Sequence, residues 1–129
     1  MADKMIERRA CQRFVVLGAI ACYKKEVLFF QKDFTDDCYP VFDISRGGLL
    51  LACPDFLKTG TKISVKIVIP GDKMPLVMKG KVTRSALNPE KSYRYQIGIQ
   101  FAPYGEKKGE NSSEALARIC AWEERFKRS

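Results

Sequence analysis

Residues 61–70 read TKISVKIVIP, a stretch in which polar and apolar side chains alternate from Lys62 to Ile67. One side of an extended chain would carry only β-branched residues, namely Ile63, Val65, Ile67 and Ile69. The opposite side would carry two lysines and a serine. Because successive side chains of a strand point to opposite faces, this period of two predicts a β-strand with one face buried and one in solvent.

Similar runs recur along the chain. They are 13–25 (RFVVLGAIACYKK), 26–31 (EVLFFQ), 39–45 (YPVFDIS), 47–53 (GGLLLAC), 76–84 (LVMKGKVTR) and 93–101 (YRYQIGIQF). Stretches rich in Gly, Pro, Asn and Lys separate several of them, such as LKTGT, PGDKMP and LNPEKS. Regularly spaced strands with turn residues between them predict antiparallel strands that close into a small barrel or a sandwich.

The tail, residues 105–129, changes from the strand period to a helical one. Asn111 or a following serine is suited to cap a helix, and Glu114 falls in its first turn. The expected apolar stripe comprises Leu116, Ile119 and Cys120, extended by Trp122 and Phe126. One interpretation is a helix that docks on the barrel. The other is a helix that docks on a partner or on a second copy of the chain.

Composition limits the classes of function. The chain has 129 residues, which predicts one domain, and its 23 basic against 15 acidic residues give a net charge of +8. This balance favours anionic partners such as phosphates, nucleic acid or acidic lipid. The chain has no histidine, no CxxC pair and no carboxylate pair set off by a motif, so we expect no metal, no cofactor and no enzymatic activity. No stretch is apolar enough for a signal peptide or a membrane helix, which predicts a cytoplasmic protein with reduced cysteines and no membrane insertion.

Two short motifs narrow the function further. Arg9 and Arg13 stand four residues apart, as RxxxR, where the N-terminal segment meets the first predicted strand. Asp43, Ser45 and Gly48 form the pattern DxSxxG at a turn between strands. In their order and spacing, with the later IGIQF, these motifs resemble the PilZ domain, the bacterial receptor module for the second messenger cyclic di-GMP. The resemblance runs from about residue 7 to residue 101.

The resemblance implies a mainly β fold: a six-stranded antiparallel barrel with a C-terminal α-helix. It implies a flexible N-terminal segment over residues 1–8, a barrel over 9–104, and a loop and helix over 105–129. By similarity, Arg9 and Arg13 grip guanine and phosphate of the ligand, because a guanidinium can bond bidentately to either group. Asp43 and Ser45 would take the second side of the site.

Four further residues complete the set that the resemblance implies. Gly47 and Gly48 would let the backbone approach the ligand without a Cβ in the way. Arg8 precedes the RxxxR motif, and a basic residue there is typical of family members that bind an intercalated pair of ligands. Arg84 lies where some members place an aromatic residue against a guanine, and an arginine plane can also stack there.

The alternatives are as follows. Asp43 and Ser45 could instead stabilise only their own turn. The chain could be a nucleic-acid-binding barrel, or an adaptor that acts through protein contacts without ligand. If it is a receptor, the signal is expected to leave through a protein effector or through a ligand-dependent change of oligomeric state.

Overall fold

The computed structural model describes residues 12–26, 33–89 and 93–127 of the protein. Within these ranges the elements are β1 (Ile20–Lys25), β2 (Tyr39–Ser45), β3 (Gly48–Cys53), β4 (Lys62–Val68), β5 (Leu76–Leu87), β6 (Tyr95–Phe101) and α1 (Ser113–Phe126). The strands form a closed barrel in the order β1-β2-β3-β6-β5-β4, and each pair of neighbours is antiparallel. The expected mainly β, six-stranded barrel with a C-terminal helix is therefore confirmed.

The alternating residues of β4 fill the barrel, as the sequence predicts. Ile63, Val65 and Ile67 are almost fully buried, and they meet Ile97 and Ile99 of β6 in one core. The alternate side chains of these strands face outward. Closing the sheet on itself leaves no unpaired strand edge and gives every inward residue a partner across the core.

The long apolar run at 13–25 does not form a single strand, and this corrects the sequence prediction. Phe14 makes a separate antiparallel bridge with Ile44, the chain then turns, and β1 begins only at Ile20. The turn is made at Gly18, whose φ of 86° lies in the left-handed region that glycine adopts readily. A Cβ at Gly18 would also come within 3.0 Å of the ring of Pro70. The predicted strand at 26–31 falls almost wholly outside the described residues.

The helix begins with a serine cap, one of the two alternatives. The hydroxyl of Ser112 accepts a hydrogen bond from the backbone N–H of Ala115. Asn111 instead lies buried against the barrel, where its amide bonds the backbone N–H and C=O of Lys79 and the C=O of Ala102. It therefore ties the start of the helix to β5.

The helix docks on the barrel through Ala115, Ile119 and Trp122, which belong to the main core. Leu116 and Cys120, expected in this stripe, are only half-buried, so the buried face is rotated relative to the expected one. No helix in the described part of the chain has the length and apolar character needed to cross a membrane.

Polar contacts fasten the outer side of the helix to the β4–β5 loop. The carboxylate of Asp72 accepts hydrogen bonds from the indole of Trp122 at 2.7 Å and from Arg125 at 3.0 Å. Arg118 donates to the carbonyl oxygens of Met74 and Pro75. The hydrogen bond from Trp122, with those from the arginine, lowers the pKa of Asp72 although burial opposes it.

Candidate functional site

Arg13 is held near the end of β2 by the short pairing of the preceding segment with that strand. Phe14 and Ile44 exchange two backbone hydrogen bonds of 2.9 and 3.0 Å, which places the preceding Arg13 beside Asp43. A guanidinium nitrogen of Arg13 lies 3.2 Å from the Asp43 carboxylate. The Arg13 side chain is 72% exposed, so its remaining donors face solvent and are available to an anion.

The turn between β2 and β3 brings the rest of the DxSxxG motif next to this pair. The hydroxyl of Ser45 accepts a hydrogen bond from the backbone N–H of Gly47 at 3.1 Å and itself donates to the carbonyl of Gly48. In this state Ser45 therefore stabilises its own turn, the role that the sequence analysis left open. Asp43 does not, because its carboxylate pairs with Arg13, 30 residues away.

Gly48 has a packing role that the sequence analysis did not foresee. A Cβ at this position would clash with the backbone carbonyl of Ile99 on the neighbouring strand β6. A Cβ at Gly47 would meet nothing closer than the Ser45 hydroxyl, at 3.8 Å. The close approach of β3 to β6 therefore requires glycine at position 48. At position 47 a Cβ would make only an ordinary contact.

Arg84 lies on the same outer face as Asp43, three strands away. The strand registers join Asp43 to Leu50, Leu50 to Gly98, and Gly98 to Arg84 in one row across β2, β3, β6 and β5. Three interstrand steps correspond to about 14 Å along the sheet. Gly98 has no side chain, and a Cβ there would lie only 3.3 Å from the Cβ of Arg84, so glycine at this position avoids a close contact with Arg84.

This arrangement suits an extended anionic ligand. Exposed guanidinium groups stand at both ends of the row, and a carboxylate and a hydroxyl lie at one end of it. Guanidinium groups bind phosphates and the guanine Hoogsteen edge, while a carboxylate can accept from the guanine N1 and N2 donors. Among the described residues no group of three potential ligands lies close enough together to hold a metal ion.

The site turn is also in contact with the helix. Arg46, between Ser45 and Gly47, donates from its side chain to the carboxylate of Glu123 on α1 at 3.1 Å. The backbone carbonyl of Arg46 accepts from the hydroxyl of Tyr104 at 2.6 Å. The Glu123 side chain is only 11% exposed, so this contact is shielded from solvent better than the pair of Arg13 and Asp43.

The predicted site residues do not all lie together in the structure. The structure brings together Arg13, Asp43, Ser45, Gly47 and Gly48, and puts Arg84 across the same face. Arg8 and Arg9 lie outside the described residues. Gly98 and Arg46 were not among the predicted site residues. The motif IGIQF could have indicated Gly98, because a glycine takes the outward position there between two buried isoleucines. Arg46 could not be predicted from its neighbours, because its partner Glu123 is 77 residues away in the sequence.

The chain is similar to one known protein family and to a solved structure. A family model described as the PilZ domain matches residues 7–121. Among solved structures, the chain is similar to that of the Bacillus subtilis inhibitor of motility (MotI/DgrA), with a TM-score of 0.65 and 16% sequence identity. The match covers 92% of this chain and 50% of that one, so the chain spans about half the length of this neighbour. No curated protein sequence matches the chain.

Proposed function

This chain belongs to the PilZ domain family, and on that premise we propose that it is a receptor that binds cyclic di-GMP and passes the signal to a protein effector. PilZ domains are binding and adaptor domains that recognise this ligand and act on effector proteins. The observation that carries the proposal is the Arg13 guanidinium, held by Asp43 beside the Ser45–Gly48 turn with most of its donors free for a ligand.

Arg13 and Arg9 are proposed to grip the phosphates and the guanine Hoogsteen edge. The ion pair with Asp43 fixes one nitrogen of Arg13 and so orients the planar fork before the ligand arrives, which lowers the entropy lost on binding. An ionised carboxylate has about four acceptor sites, so Asp43 can hold Arg13 and still accept from guanine.

The remaining contacts lie on the turn and across the row. Binding is proposed to redirect the Ser45 hydroxyl from its own turn to the ligand, with Gly47 providing the open approach. Arg84 is proposed to stack on a guanine at the far end of the row, beside Gly98, which carries no side chain.

The signal is proposed to leave the site through the helix. Arg46 belongs to the turn that contacts the ligand, and its side chain bonds Glu123 on α1. A movement of the turn would therefore act directly on the helix, whose exposed side is the surface we propose for the effector or for a second copy of the chain.

Isothermal titration tests ligand binding. We expect micromolar affinity or tighter for cyclic di-GMP and much weaker binding of cyclic di-AMP and GTP. Adenine carries an amino donor where guanine carries O6, so an arginine fork would meet a donor instead of an acceptor. Equal affinity for the two cyclic dinucleotides would refute the assignment. Binding of RNA homopolymer without binding of cyclic di-GMP would support the nucleic-acid alternative, and effector capture without any nucleotide would support a ligand-independent adaptor.

A further inference from the structure

The outer face of β1, β4 and β5 carries a concentration of lysines away from the turn that holds Arg13 and Asp43. On these strands the inward positions are apolar, and the outward positions form cross-strand rows. The lysines on this outer face are Lys24, Lys62, Lys66, Lys79 and Lys81. They occupy an area of about 10 by 14 Å, from the spacing of strands and of alternate residues.

These lysines are not neutralised by one another or by the described carboxylates. Lys62 lies directly opposite Lys81, an arrangement of like charges that destabilises a sheet. None of the five takes part in an ion pair with another residue of the described ranges. Glu26, which ends one row, is hydrogen-bonded to Ser64 instead. Within the described ranges, no internal ion pair therefore offsets the positive charge of this face.

An aromatic ring holds two of the lysines in place. The ammonium groups of Lys24 and Lys66 lie 5.0 and 4.6 Å from the centre of the Phe34 ring. Cation–π contact of this kind limits the motion of both side chains and keeps their charges together on the face. The aspartates near Phe34 form no ion pair with either lysine within the described part of the chain.

The face is apolar at one end. Val77 lies opposite Lys66 and is 49% exposed, and Met74, just before β5, is 70% exposed. At the same end of β4, Leu17 is 87% exposed, and the next residue, Gly18, lies against Pro70. Large apolar side chains beside a basic patch are typical of surfaces that lie in a lipid headgroup region.

We infer that this outer face of β1, β4 and β5 is a docking surface for a membrane that contains anionic lipids. The lysines are attracted to the headgroups, and Met74, Val77 and Leu17 enter the boundary between headgroups and acyl chains. The protein lies on the membrane and does not span it. This inference does not rest on the proposed receptor function, because none of the five lysines is a proposed ligand contact, although Arg84 of that site also lies on β5.

The chemistry of the face favours lipid over the other anionic partners. Protein interfaces are depleted in lysine, so an acidic protein surface is the weaker match. Sequence-specific contact with nucleic acid uses Arg, Asn and Gln on base edges, and single strands stack on exposed aromatic rings. The five cations of this patch are all lysines, and Arg84 lies farther along β5, beside β6. The exposed apolar end has no role in contact with a phosphate backbone.

Sedimentation of the intact chain with lipid vesicles tests the inference. We expect it to pellet with vesicles of phosphatidylcholine and phosphatidylglycerol, to stay in solution with pure phosphatidylcholine, and to be released by salt. Lys62→Gln together with Lys79→Gln should weaken partitioning about 25-fold, at roughly fivefold for each lysine. Arg94→Gln with Lys127→Gln removes the same charge elsewhere and should leave partitioning nearly unchanged, as should Arg13→Ala.

The same experiment includes a control for folding and a test of which kind of anionic partner binds. Both lysines are exposed, and loss of Lys62 relieves its repulsion with Lys81, so the thermal midpoint of the double variant should not fall. Equal pelleting with neutral vesicles, or no difference between the two double variants, would overturn the inference. Retention on duplex DNA without binding to anionic vesicles would also overturn it and would assign the face to nucleic acid.

Discussion

Arg13 and Asp43 form an ion pair at the surface. Because the pair is exposed, we expect it to matter for ligand binding and to contribute little to stability. Ion pairs in solvent contribute little to the free energy of unfolding, since water and salt screen them and the side chains lose entropy. Arg13→Ala should therefore abolish measurable cyclic di-GMP binding in isothermal titration, while the thermal midpoint without ligand barely moves. Arg13→Lys keeps the charge but loses the fork, and should weaken binding tenfold or more.

Asp43→Ala should also lose binding, because it frees Arg13 from the position in which it meets the ligand. Lys107→Ala, in an exposed loop, is the matched control and should bind normally. If the control loses as much affinity as the Arg13 variants, the site is a diffuse basic surface and not a specific clamp.

The two glycines of the turn should respond differently to the same substitution. Gly48→Ala puts a methyl group against the Ile99 carbonyl, and such overpacking costs about 1–3 kcal/mol or more of the free energy of unfolding. Gly47→Ala places its methyl group in open space and should leave stability within about 0.5 kcal/mol. Urea denaturation measures both. Equal stability of the two variants would show that β3 can move away from β6 at no cost.

Gly47→Ala is accordingly the informative binding variant. A fall in affinity with unchanged stability would support a close approach of the ligand to this backbone. Gly48→Ala cannot separate the two effects, since its packing role alone is sufficient to require glycine.

At the residue scale, the resemblance carried by two local motifs predicted Arg13, Asp43 and Ser45 as site residues. The structure brings these three together, and their contact with a ligand stays a prediction. Arg46 was not identified as a functional residue, because its partner Glu123 becomes its neighbour only when the helix folds back on the barrel.

The helix is fastened to the β4–β5 loop by Asp72, which makes its docking sensitive to acid. The lowered pKa of Asp72 means that the folded state favours the carboxylate, so this contribution is present above the ordinary value of 3.8 and is lost as pH falls through the lowered one. Asp72→Asn should reduce the free energy of unfolding at neutral pH by about 1.5–3 kcal/mol, the range for hydrogen bonds to charged groups. It should also lose this acid dependence.

Trp122 is the single tryptophan of the chain, and its indole donates to Asp72, so its fluorescence reports on this contact. Denaturation followed by that fluorescence at neutral and acid pH gives the free energy of unfolding and its dependence on pH. The control is Asp55→Asn, which alters the contact of Tyr23 with Asp55 and leaves the helix contact intact. An unchanged acid dependence in Asp72→Asn would contradict the assignment.

At the scale of elements, alternation was a sufficient guide for the strands that have one face in solvent. β4 and β6 follow the period of two, and both bury the predicted side chains. The break between Phe14 and Ile20 was not predicted, because the run FVVLGAIAC is otherwise apolar and its single glycine, Gly18, was included in the strand. The turn depends on Gly18 and on its contact with Pro70, which is distant in sequence.

On the scale of the whole molecule, the contact of Arg46 with Glu123 joins the turn between β2 and β3 to the helix. If the signal uses this contact, cyclic di-GMP should change the Trp122 fluorescence of the wild-type protein. Arg46→Ala should still bind ligand, since the other site residues are intact, but the fluorescence change should be reduced severalfold. Glu123→Gln keeps a hydrogen-bond acceptor and serves as the milder variant. A full fluorescence change in Arg46→Ala would show that the helix is not reached through this side chain.

If the chain is the proposed receptor, the number of ligands it binds should depend on its arginines. Two intercalated ligands carry four phosphates, so their mutual repulsion must be offset by several cations within about a Debye length. Arg13 and Arg84 stand on the outer face, and Arg8 and Arg9 come shortly before Arg13 in sequence. We expect two ligands per chain in isothermal titration, and one for Arg8→Leu, because a leucine removes a cation while the RxxxR pair still grips the first ligand.

Amide hydrogen exchange over residues 5–13 relates this stoichiometry to the switch. Ligand that bridges Arg9 and Arg13 to the turn at 43–48 should fold this segment onto the barrel and slow its exchange, as in other order–disorder switches. Arg8→Leu should retain part of this protection, since one ligand is still bound. Exchange that is equally slow with and without ligand would mean that the clamp is preformed, and the surface that changes on binding would then be the helix, which Arg46 already joins to the turn.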